Sequence, residues 1–166
     1  MIALVRVDNR LVHGQVLVTW VPALGAQAIL VADEEAAASP LARAALTLAL
    51  PPGLRASIEP LPRVDWARLA AAPDRVMVVV RDVADLERVA AAGLAPASAA
   101  LNLGNVHYAR GRRQVTPSVF LSGEELAILE RLDAAGFRVE ARAVPSDAAL
   151  GLDEIRRRFA AAPDGR

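Results

Sequence analysis

The chain has 166 residues, of which 54% are hydrophobic and 23% charged, and its 19 acidic residues balance its 19 basic ones. This size and composition predict one globular domain, and the neutral charge balance argues against binding to nucleic acid. The sequence contains neither cysteine nor lysine, which excludes thiolate metal sites, cysteine nucleophiles and lysine-dependent phosphate loops.

Short apolar runs alternate with longer amphipathic ones, a pattern typical of a parallel sheet with crossover helices. The predicted strands are Ile2–Val7, Ala28–Ala32, Leu54–Glu59, Arg75–Val80, Ala99–Leu103, a short strand around Gln114–Leu121, and Phe137–Ala143. The run Val76–Val80 is apolar on both faces, which indicates a central strand of a covered sheet. We therefore predict an α/β fold: a single doubly wound domain with a mainly parallel sheet of about seven strands and helices on both faces.

Capping and stop signals divide the remaining segments into helices. They predict helices that begin and end at Ser39 and Gly53, at Asp82 and Gly93, at Ser122 and Gly136, and at about Leu152 and Ala161. Ser122 and Glu125 fit a capping box. Trp20 and Trp66 have apolar neighbours at helical spacing, which predicts core positions. The predicted single domain spans residues 1–166, with a short frayed tail from about residue 162.

The amino-terminal segment does not have the pattern of a signal peptide or membrane span. Its apolar run meets Arg6 and Asp8 before such a segment could form, and every later apolar run is far shorter than about 18 residues. We therefore expect a cytoplasmic protein.

The loop after the first predicted strand concentrates polar and ionisable residues. It reads Asp8-Asn9-Arg10-Leu11-Val12-His13-Gly14-Gln15 and leads into an apolar helix pattern. Sites in doubly wound sheets form where loops leave the carboxyl ends of the strands, which here include Val7, Ala32, Val80 and Leu103. The loop lacks both the glycine spacing of a dinucleotide site and the lysine of an NTPase loop.

This loop suits a histidine that accepts a phosphoryl group. His13 directly precedes a helix, whose free N–H groups and dipole stabilise phosphate and keep the ring neutral. Gly14 permits close approach of the backbone, Arg10 can bind phosphoryl oxygens, and Asp8 can orient Arg10 or the ring. Such chemistry needs no metal or cofactor, and we expect neither. From the residues alone, a helix cap or a satisfied polar histidine beside an ordinary ion pair stays an open alternative.

The segment Val5–Val16, followed by Trp20, resembles the phosphorylation-site signature of enzyme IIB components. These proteins belong to the mannose/fructose/sorbose branch of the bacterial phosphoenolpyruvate-dependent sugar phosphotransferase system (PTS). Shorter matches follow in the family's order over about residues 2–155: Asp33, Pro52-Gly53, Asn102-Leu103-Gly104, Gly111 and Val144-Pro145-Ser146-Asp147. The resemblance implies a doubly wound α/β fold with a mainly parallel sheet.

The resemblance also implies a phosphoryl-carrier function. His13 would accept phosphate on Nδ1 from a phosphorylated IIA protein and pass it to a sugar bound by the membrane IIC/IID components. Arg10 matches the family's arginine beside the phosphohistidine, and Asp8 matches its acidic residue at the strand end. The implied catalytic set is therefore His13, Arg10 and Asp8, and a homodimer is one possible assembly.

The phosphate-binding residues implied by the same match are Arg10, Asn9, Gly14 and Gln15. Gly14 and Gln15 match the turn into the helix whose amides hold the phosphate. Asn9 stands where the family commonly has a second aspartate, so the loop of this chain carries less negative charge near the phosphate.

Other polar residues predict supporting roles. His107 follows the strand that ends at Leu103, on the same predicted edge as His13, and a structural or exposed role is favoured over phosphate contact. Asp33 is favoured as a helix cap that lines the site. The basic run Arg110–Arg113 predicts a solvated face or a surface that contacts an acidic partner. Leu11 and Val12 are apolar within a polar loop, which suggests part of a docking surface.

Two alternative functions stay open at this stage. The same domain can serve as a regulatory phosphoacceptor that is not coupled to sugar transport, and nothing in the residues separates this use from transport. A nucleotide-binding α/β module is disfavoured because the required glycine and lysine motifs are absent.

Overall fold

The computed structural model describes residues 1–163 of the chain as nine strands and seven α-helices joined by short turns. The strands are β1 Ile2–Asp8, β2 Ala28–Ala32, β3 Arg55–Glu59, β4 Val76–Val80, β5 Leu101–Asn105, β6 Arg113–Thr116, β7 Val119–Leu121, β8 Val139–Ala141 and β9 Leu150–Gly151. The helices are α1 Val21–Leu24, α2 Glu34–Ala38, α3 Pro40–Ala49, α4 Trp66–Ala71, α5 Val83–Ala91, α6 Gly123–Ala134 and α7 Leu152–Ala161.

Seven strands form one sheet in the order β3-β2-β4-β1-β5-β8-β9. Every neighbouring pair is parallel except β8 and β9, which are antiparallel. The predicted mainly parallel α/β sheet of about seven strands is therefore confirmed. From β1 the chain crosses to β2 on one side of the sheet, and from β4 it crosses to β5 on the other side. The loop after β1 therefore lies at the point where the direction of the crossovers changes, which is where sites form in such folds.

The prediction of one strand around Gln114–Leu121 was wrong. This segment forms the hairpin β6–β7, a separate two-stranded antiparallel sheet that turns at Pro117. Proline lacks the N–H that a continuous strand would donate, and this favours a turn at that position. The seventh strand of the main sheet is instead β9, whose two residues give no recognisable sequence pattern.

The sheet separates two apolar clusters, one on each face. On β4, Val76, Val78 and Val80 pack into one cluster, while Met77 and Val79 pack into the other. The first cluster includes apolar residues of α4 to α7, and the second includes those of α1 to α3. Both predicted core tryptophans are buried, Trp66 in the first cluster and Trp20 in the second. Helices therefore cover both faces, as predicted.

The helix-capping predictions for Ser39, Asp82 and Ser122 are confirmed. The Ser39 hydroxyl accepts from the backbone N–H of Ala42 at 3.1 Å, and capping boxes form at Asp82 and at Ser122. Helix α7 ends at Ala161, and the expected frayed tail extends to residues 164–166, which lie outside the described part of the chain. Among residues 1–163, no helix has the length and apolar character needed to cross a membrane.

Candidate active site

The loop between β1 and the first helix has a constrained backbone. The N–H of Leu11 donates to the carbonyl oxygen of Asp8 at 2.8 Å, which closes a tight turn at the end of the strand. Leu11 has a φ of 55°, a left-handed conformation that costs a residue with a Cβ free energy. The side chains of Leu11 and Val12 offset this cost because they pack against the apolar cluster of that face. The apolar pair therefore fixes the loop that carries Arg10 and His13.

The first helical turn begins immediately after His13. The N–H of Leu17 donates to the carbonyl oxygen of His13 at 3.1 Å, and residues 14–15 are helical. A π-helical stretch, Val16–Trp20, then joins this turn to α1, and such stretches are frequent at functional sites. The N–H groups of the first turn have no carbonyl partner within the helix. His13 therefore stands at the positive end of a helical segment, as the sequence predicted.

Asp8 and His13 form the central contact of the site. Oδ2 of Asp8 lies 3.0 Å from Nε2 of His13, and the His13 side chain is 11% exposed while Asp8 is fully buried. The Asp8 carboxylate makes five hydrogen bonds, two with the Arg6 side chain and one each with the Arg10 N–H, the His13 ring and the Asn105 amide. An ionised carboxylate only accepts hydrogen bonds, so Nε2 of His13 must carry the ring proton. In the neutral ring, Nδ1 is then the nitrogen without a proton.

Arg6 contacts the candidate site, and the sequence analysis did not identify it. Its guanidinium is buried in the sheet, and Nε and Nη2 donate to Oδ2 of Asp8 at 3.2 and 3.0 Å. Nη1 donates to Oδ1 of the buried Asn102 at 2.8 Å. Burial lowers the pKa of Arg6, and the charge and hydrogen bonds of Asp8 oppose that shift. The sequence signal for Arg6 was its charge within the predicted strand Ile2–Val7, whose other residues are apolar.

Aromatic and backbone contacts hold the Arg6 guanidinium in place. Its Cζ lies 5.2 Å from the centroid of the Trp20 ring, a cation–π distance, and Cζ of Arg142 lies 5.1 Å from the same ring. Gly104 of β5 borders the guanidinium so closely that a Cβ at this position would overlap it. The motif residues Asn102 and Gly104 therefore belong to the support of Asp8.

Arg10 approaches the site through its backbone. Its N–H donates to Oδ1 of Asp8 at 3.1 Å, while its side chain is exposed. Within residues 1–163, its guanidinium makes no hydrogen bond or ion pair with another side chain, so of the two partners considered for the Asp8 carboxylate, the Arg10 side chain and the His13 ring, the carboxylate contacts the ring. Asp8 pairs with Arg6, because Arg6 lies on the same strand face as Asp8 two residues earlier. The charge of Arg10 is thus available for an anion.

Asn9 is fully engaged in holding the loop. Its amide nitrogen donates to the carbonyl oxygen of Arg81 at 2.7 Å and to Oδ1 of Asp82 at 2.9 Å. Its Oδ1 accepts the N–H of His107 at 2.6 Å. Both amide hydrogens are used, so the phosphate contact predicted for the Asn9 side chain requires one of these hydrogen bonds to break.

Gly14 and Gln15, the remaining predicted phosphate-binding residues, are exposed in the first helical turn. A Cβ added at Gly14 would meet no atom within 4 Å. The space over this part of the backbone is therefore open, and the fold itself does not require glycine here.

Charged groups near the neighbouring strand ends have shifted pKa values. Burial raises the pKa of Asp82, and the nearby charge of Asp85 raises it further. Burial also acts to raise the pKa of Asp33, but hydrogen bonds from Arg81 and from a backbone N–H outweigh it, so the pKa is lowered. Asp33 caps α2 through a 2.7 Å hydrogen bond from the N–H of Ala36, as predicted. Residues 1–163 contain no group of three or more metal-ligating side chains placed to hold an ion.

Comparisons with known proteins identify the family of the chain. Residues 2–162 match the family described as "PTS system sorbose subfamily IIB component". The chain is 33% identical over 155 residues to the N-acetylgalactosamine-specific phosphotransferase enzyme IIB component 2 of Escherichia coli, with 93% of this chain and 98% of that protein covered. It is 30% identical to the mannose-specific EIIAB component of Escherichia coli, with 93% of this chain but 48% of that longer protein covered.

A solved structure has the same fold. The IIB domain of the sorbose permease from Klebsiella pneumoniae matches with a TM-score of 0.79 and 27% identity. The match covers 94% of this chain and 96% of that one. The two chains therefore share the mainly parallel α/β fold over most of their length.

Proposed function

Because this chain belongs to the sorbose subfamily of PTS IIB components, we propose that it carries phosphate on Nδ1 of His13. The phosphate comes from a phosphorylated IIA protein and goes to a sugar bound by membrane IIC/IID components during uptake. The observation that carries this proposal is the 3.0 Å contact between Oδ2 of Asp8 and Nε2 of His13. It keeps the proton on Nε2 and leaves Nδ1 as the nucleophile.

Asp8 stabilises the charge that develops during transfer. When Nδ1 of His13 attacks phosphorus, the P–N bond of the donor phosphohistidine breaks and a new P–N bond forms. The His13 ring then holds both the phosphoryl group and the Nε2 proton, so it gains positive charge. The buried carboxylate of Asp8 lies against that proton, where a low local dielectric strengthens the attraction. Arg6 donates two hydrogen bonds that orient the carboxylate.

The phosphoryl oxygens need donors on the Nδ1 side of the ring. The N–H groups of Gly14 and Gln15 lie in the first helical turn, where free amides and the helix dipole favour an anion. The exposed guanidinium of Arg10 supplies a charged donor that is not engaged with another side chain among residues 1–163. Phosphoryl transfer is dominated by positioning and charge stabilisation, which these groups provide.

An apolar groove beside the His13 loop is suited to the IIA donor. The groove has a volume of about 320 Å³, and its walls include Arg10, Leu11 and Val12 on one side and Leu46 of α3 on the other. None of the residues of α3 is fully buried, and its Leu41 and Leu48 are 79% and 88% exposed. A donor histidine must reach His13, so the donor protein must cover the groove between the His13 loop and α3. The name of the mannose-specific relative joins IIA to IIB, which supports a IIA protein as the partner.

The function is tested by supplying phosphoenolpyruvate, enzyme I, the histidine carrier protein and a IIA protein. Intact-mass and phosphosite measurements compare wild type with His13→Ala and His107→Ala. We expect an acid-labile phosphate that is lost only in His13→Ala. Phosphate on His107 contradicts the proposal, and so does a wild-type protein without phosphate when the IIA protein is itself fully phosphorylated. Transfer onward to sugar in membranes that contain IIC and IID separates a transport component from a regulatory phosphoacceptor.

The docking assignment has its own test. Leu48→Glu places a charge on the exposed face of α3, and we expect the KM for phosphorylated IIA to rise about tenfold with little change in kcat. Ala91→Glu places the same charge at the exposed end of α5, which packs on the opposite face of the sheet, and serves as the matched control. Equal KM values for the two variants would remove α3 from the docking surface.

A further inference from the structure

Asn105, the last residue of β5, connects the two histidines of the chain. Its Nδ2 lies 3.3 Å from Oδ1 of Asp8 and 3.2 Å from Nε2 of His107. Oδ2 of the same carboxylate contacts Nε2 of His13. The side chains of His13, Asp8, Asn105 and His107 therefore form one continuous hydrogen-bonded chain. Neither the motif match nor the physical argument for phosphate binding includes Asn105.

The chemistry of Asp8 fixes the orientation of the Asn105 amide. Asp8 is paired with Arg6 and only accepts hydrogen bonds, so the Asn105 nitrogen, and not its oxygen, must face it. The same nitrogen faces Nε2 of His107, which must therefore accept a hydrogen bond. His107 in this arrangement is a neutral ring whose proton is on Nδ1.

The His107 backbone is held independently of its ring. Its N–H donates to Oδ1 of Asn9, and its carbonyl oxygen accepts from Nη1 of Arg112 at 2.8 Å. Replacing the His107 side chain therefore leaves these two contacts in place. This separation allows the ring to be tested without loss of the loop.

We propose that Asn105 is a positioning residue for phosphoryl transfer to His13, and that the acceptor nitrogen of His107 holds the Asn105 amide in its donating orientation toward Asp8. The inference rests on the proposed function of His13. Asn105 acts through Asp8: its N–H withdraws negative charge from the carboxylate and limits the basicity that Asp8 imposes on the His13 ring. A ring that is too basic takes up a second proton and loses its nucleophilic nitrogen.

The first test measures the titration of His13 by NMR in the unphosphorylated protein, together with the rate of transfer from IIA. In Asn105→Ala, we expect His13 to titrate at higher pH and transfer at neutral pH to slow about fivefold. Asn105→Asp places a carboxylate against Asp8, so the titration should move further in the same direction and the rate should fall more. Ser118→Ala is the matched control, because its hydroxyl donates to the neighbouring carbonyl oxygen of Gly104 and does not contact Asp8.

The second test uses rescue at position 107. His107→Ala removes the acceptor, and we expect a smaller shift of the His13 titration in the same direction. His107→Gln returns an acceptor oxygen and should restore both titration and rate to within about twofold of wild type. Wild-type titration and rate in Asn105→Ala would overturn the positioning role. Failure of His107→Gln to restore the loss in His107→Ala would overturn the role of His107.

These results are distinguishable from failure of the proposed function. The titration of His13 requires no phosphate donor, so it reports on Asn105 even if no phosphate reaches His13. Thermal unfolding identifies any variant that does not fold. If Asn105→Ala does not fold, the comparison of His107→Ala with His107→Gln still tests the inference.

Discussion

Arg6 and Asp8 lie two residues apart on one strand, and the guanidinium of Arg6 donates two hydrogen bonds to Oδ2 of Asp8 inside the sheet. The same oxygen contacts Nε2 of His13. A buried ion pair that loses one partner leaves an uncompensated charge, so Arg6 and Asp8 must be considered together. The orientation of the His13 ring at the surface therefore depends on a charge that has no access to solvent.

Gly104→Ala tests this dependence without changing a charged residue. The new methyl group would overlap the Arg6 guanidinium, which Asp8, Asn102 and the Trp20 ring hold in place. We expect about 2–4 kcal/mol of lost stability and a tenfold or greater loss of transfer to His13. Urea unfolding and the transfer rate measure the two effects.

Gly123→Ala is the matched control, because a Cβ at the start of α6 meets no atom within 4 Å. A Gly104→Ala protein with the stability and transfer rate of this control would mean that Arg6 is dispensable for the site.

Gly14→Ala separates phosphate binding from folding. A methyl group at position 14 meets nothing in the unphosphorylated protein, and alanine is a better helix former than glycine. We expect stability to stay equal or rise by up to about 1 kcal/mol, while transfer slows because the methyl group occupies space over the first-turn amides. Thermal unfolding and transfer are measured on the same preparation. Unchanged transfer would place the phosphate away from the Gly14 backbone.

Asn9→Asp probes the contacts that hold the loop after β1. The amide nitrogen of Asn9 donates to Asp82, whose pKa is raised by burial and by the charge of Asp85. A carboxylate at position 9 would repel Asp82 and the carbonyl oxygen of Arg81. We expect a loss of about 1–3 kcal/mol at pH 7.

This loss should shrink as the pH falls. The added charge raises the folded-state pKa of Asp82 further, so the folded Asn9→Asp protein binds a proton more readily than the unfolded chain and gains stability relative to wild type at acidic pH. Urea unfolding at pH 7 and pH 4.5 measures the difference. Gln114→Glu, which adds one charge at an exposed position, controls for net charge. A pH-independent loss would contradict the assigned contact.

The ion pair between Asp33 and Arg81 predicts an acid-sensitive contribution to stability. Nε and Nη2 of Arg81 donate to the two carboxylate oxygens of Asp33 at 2.7 and 2.8 Å, and Asp33 is largely buried. The pKa of Asp33 is lowered in the folded state, so the contribution is present above the unfolded pKa and is lost as the pH falls through the folded value.

We therefore expect Arg81→Ala to cost about 2 kcal/mol at pH 7 and less below about pH 4, as measured by urea unfolding. Arg88→Ala is the comparison: the exposed Arg88 side chain pairs with Glu34 and Asp85, and its loss should cost under about 1 kcal/mol. Equal losses for the two arginines, or a constant loss down to pH 3, would argue against a strong Asp33–Arg81 pair.

The sequence predicted the features that depend on local chemistry. Ser39, Asp82 and Ser122 cap helices as predicted, because a cap requires a side-chain oxygen and N–H groups only a few residues away. The continuous apolar run of β4 likewise identified a strand buried on both faces. The loop of His13 was found for the same reason, since its polar residues are contiguous.

The features that sequence analysis missed depend on distant contacts. The role of Arg6 depends on Gly104 and Asn102 of β5, nearly a hundred residues away in sequence. Proximity in sequence left an Asp8–Arg10 ion pair open, but Asp8 pairs with Arg6, which lies two residues earlier on the same face of the strand. The two-residue strand β9 exists only because β8 offers a pairing edge.

The most direct measurement is the identity of the phosphorylated nitrogen. Protein labelled with ¹⁵N in histidine is phosphorylated through IIA, and ¹H–¹⁵N and ³¹P NMR then identify the ring atom bonded to phosphorus. The contact between Asp8 and Nε2 predicts phosphate on Nδ1 of His13, with the proton retained on Nε2. Phosphate on Nε2 of His13, or on His107, would contradict this account of the site.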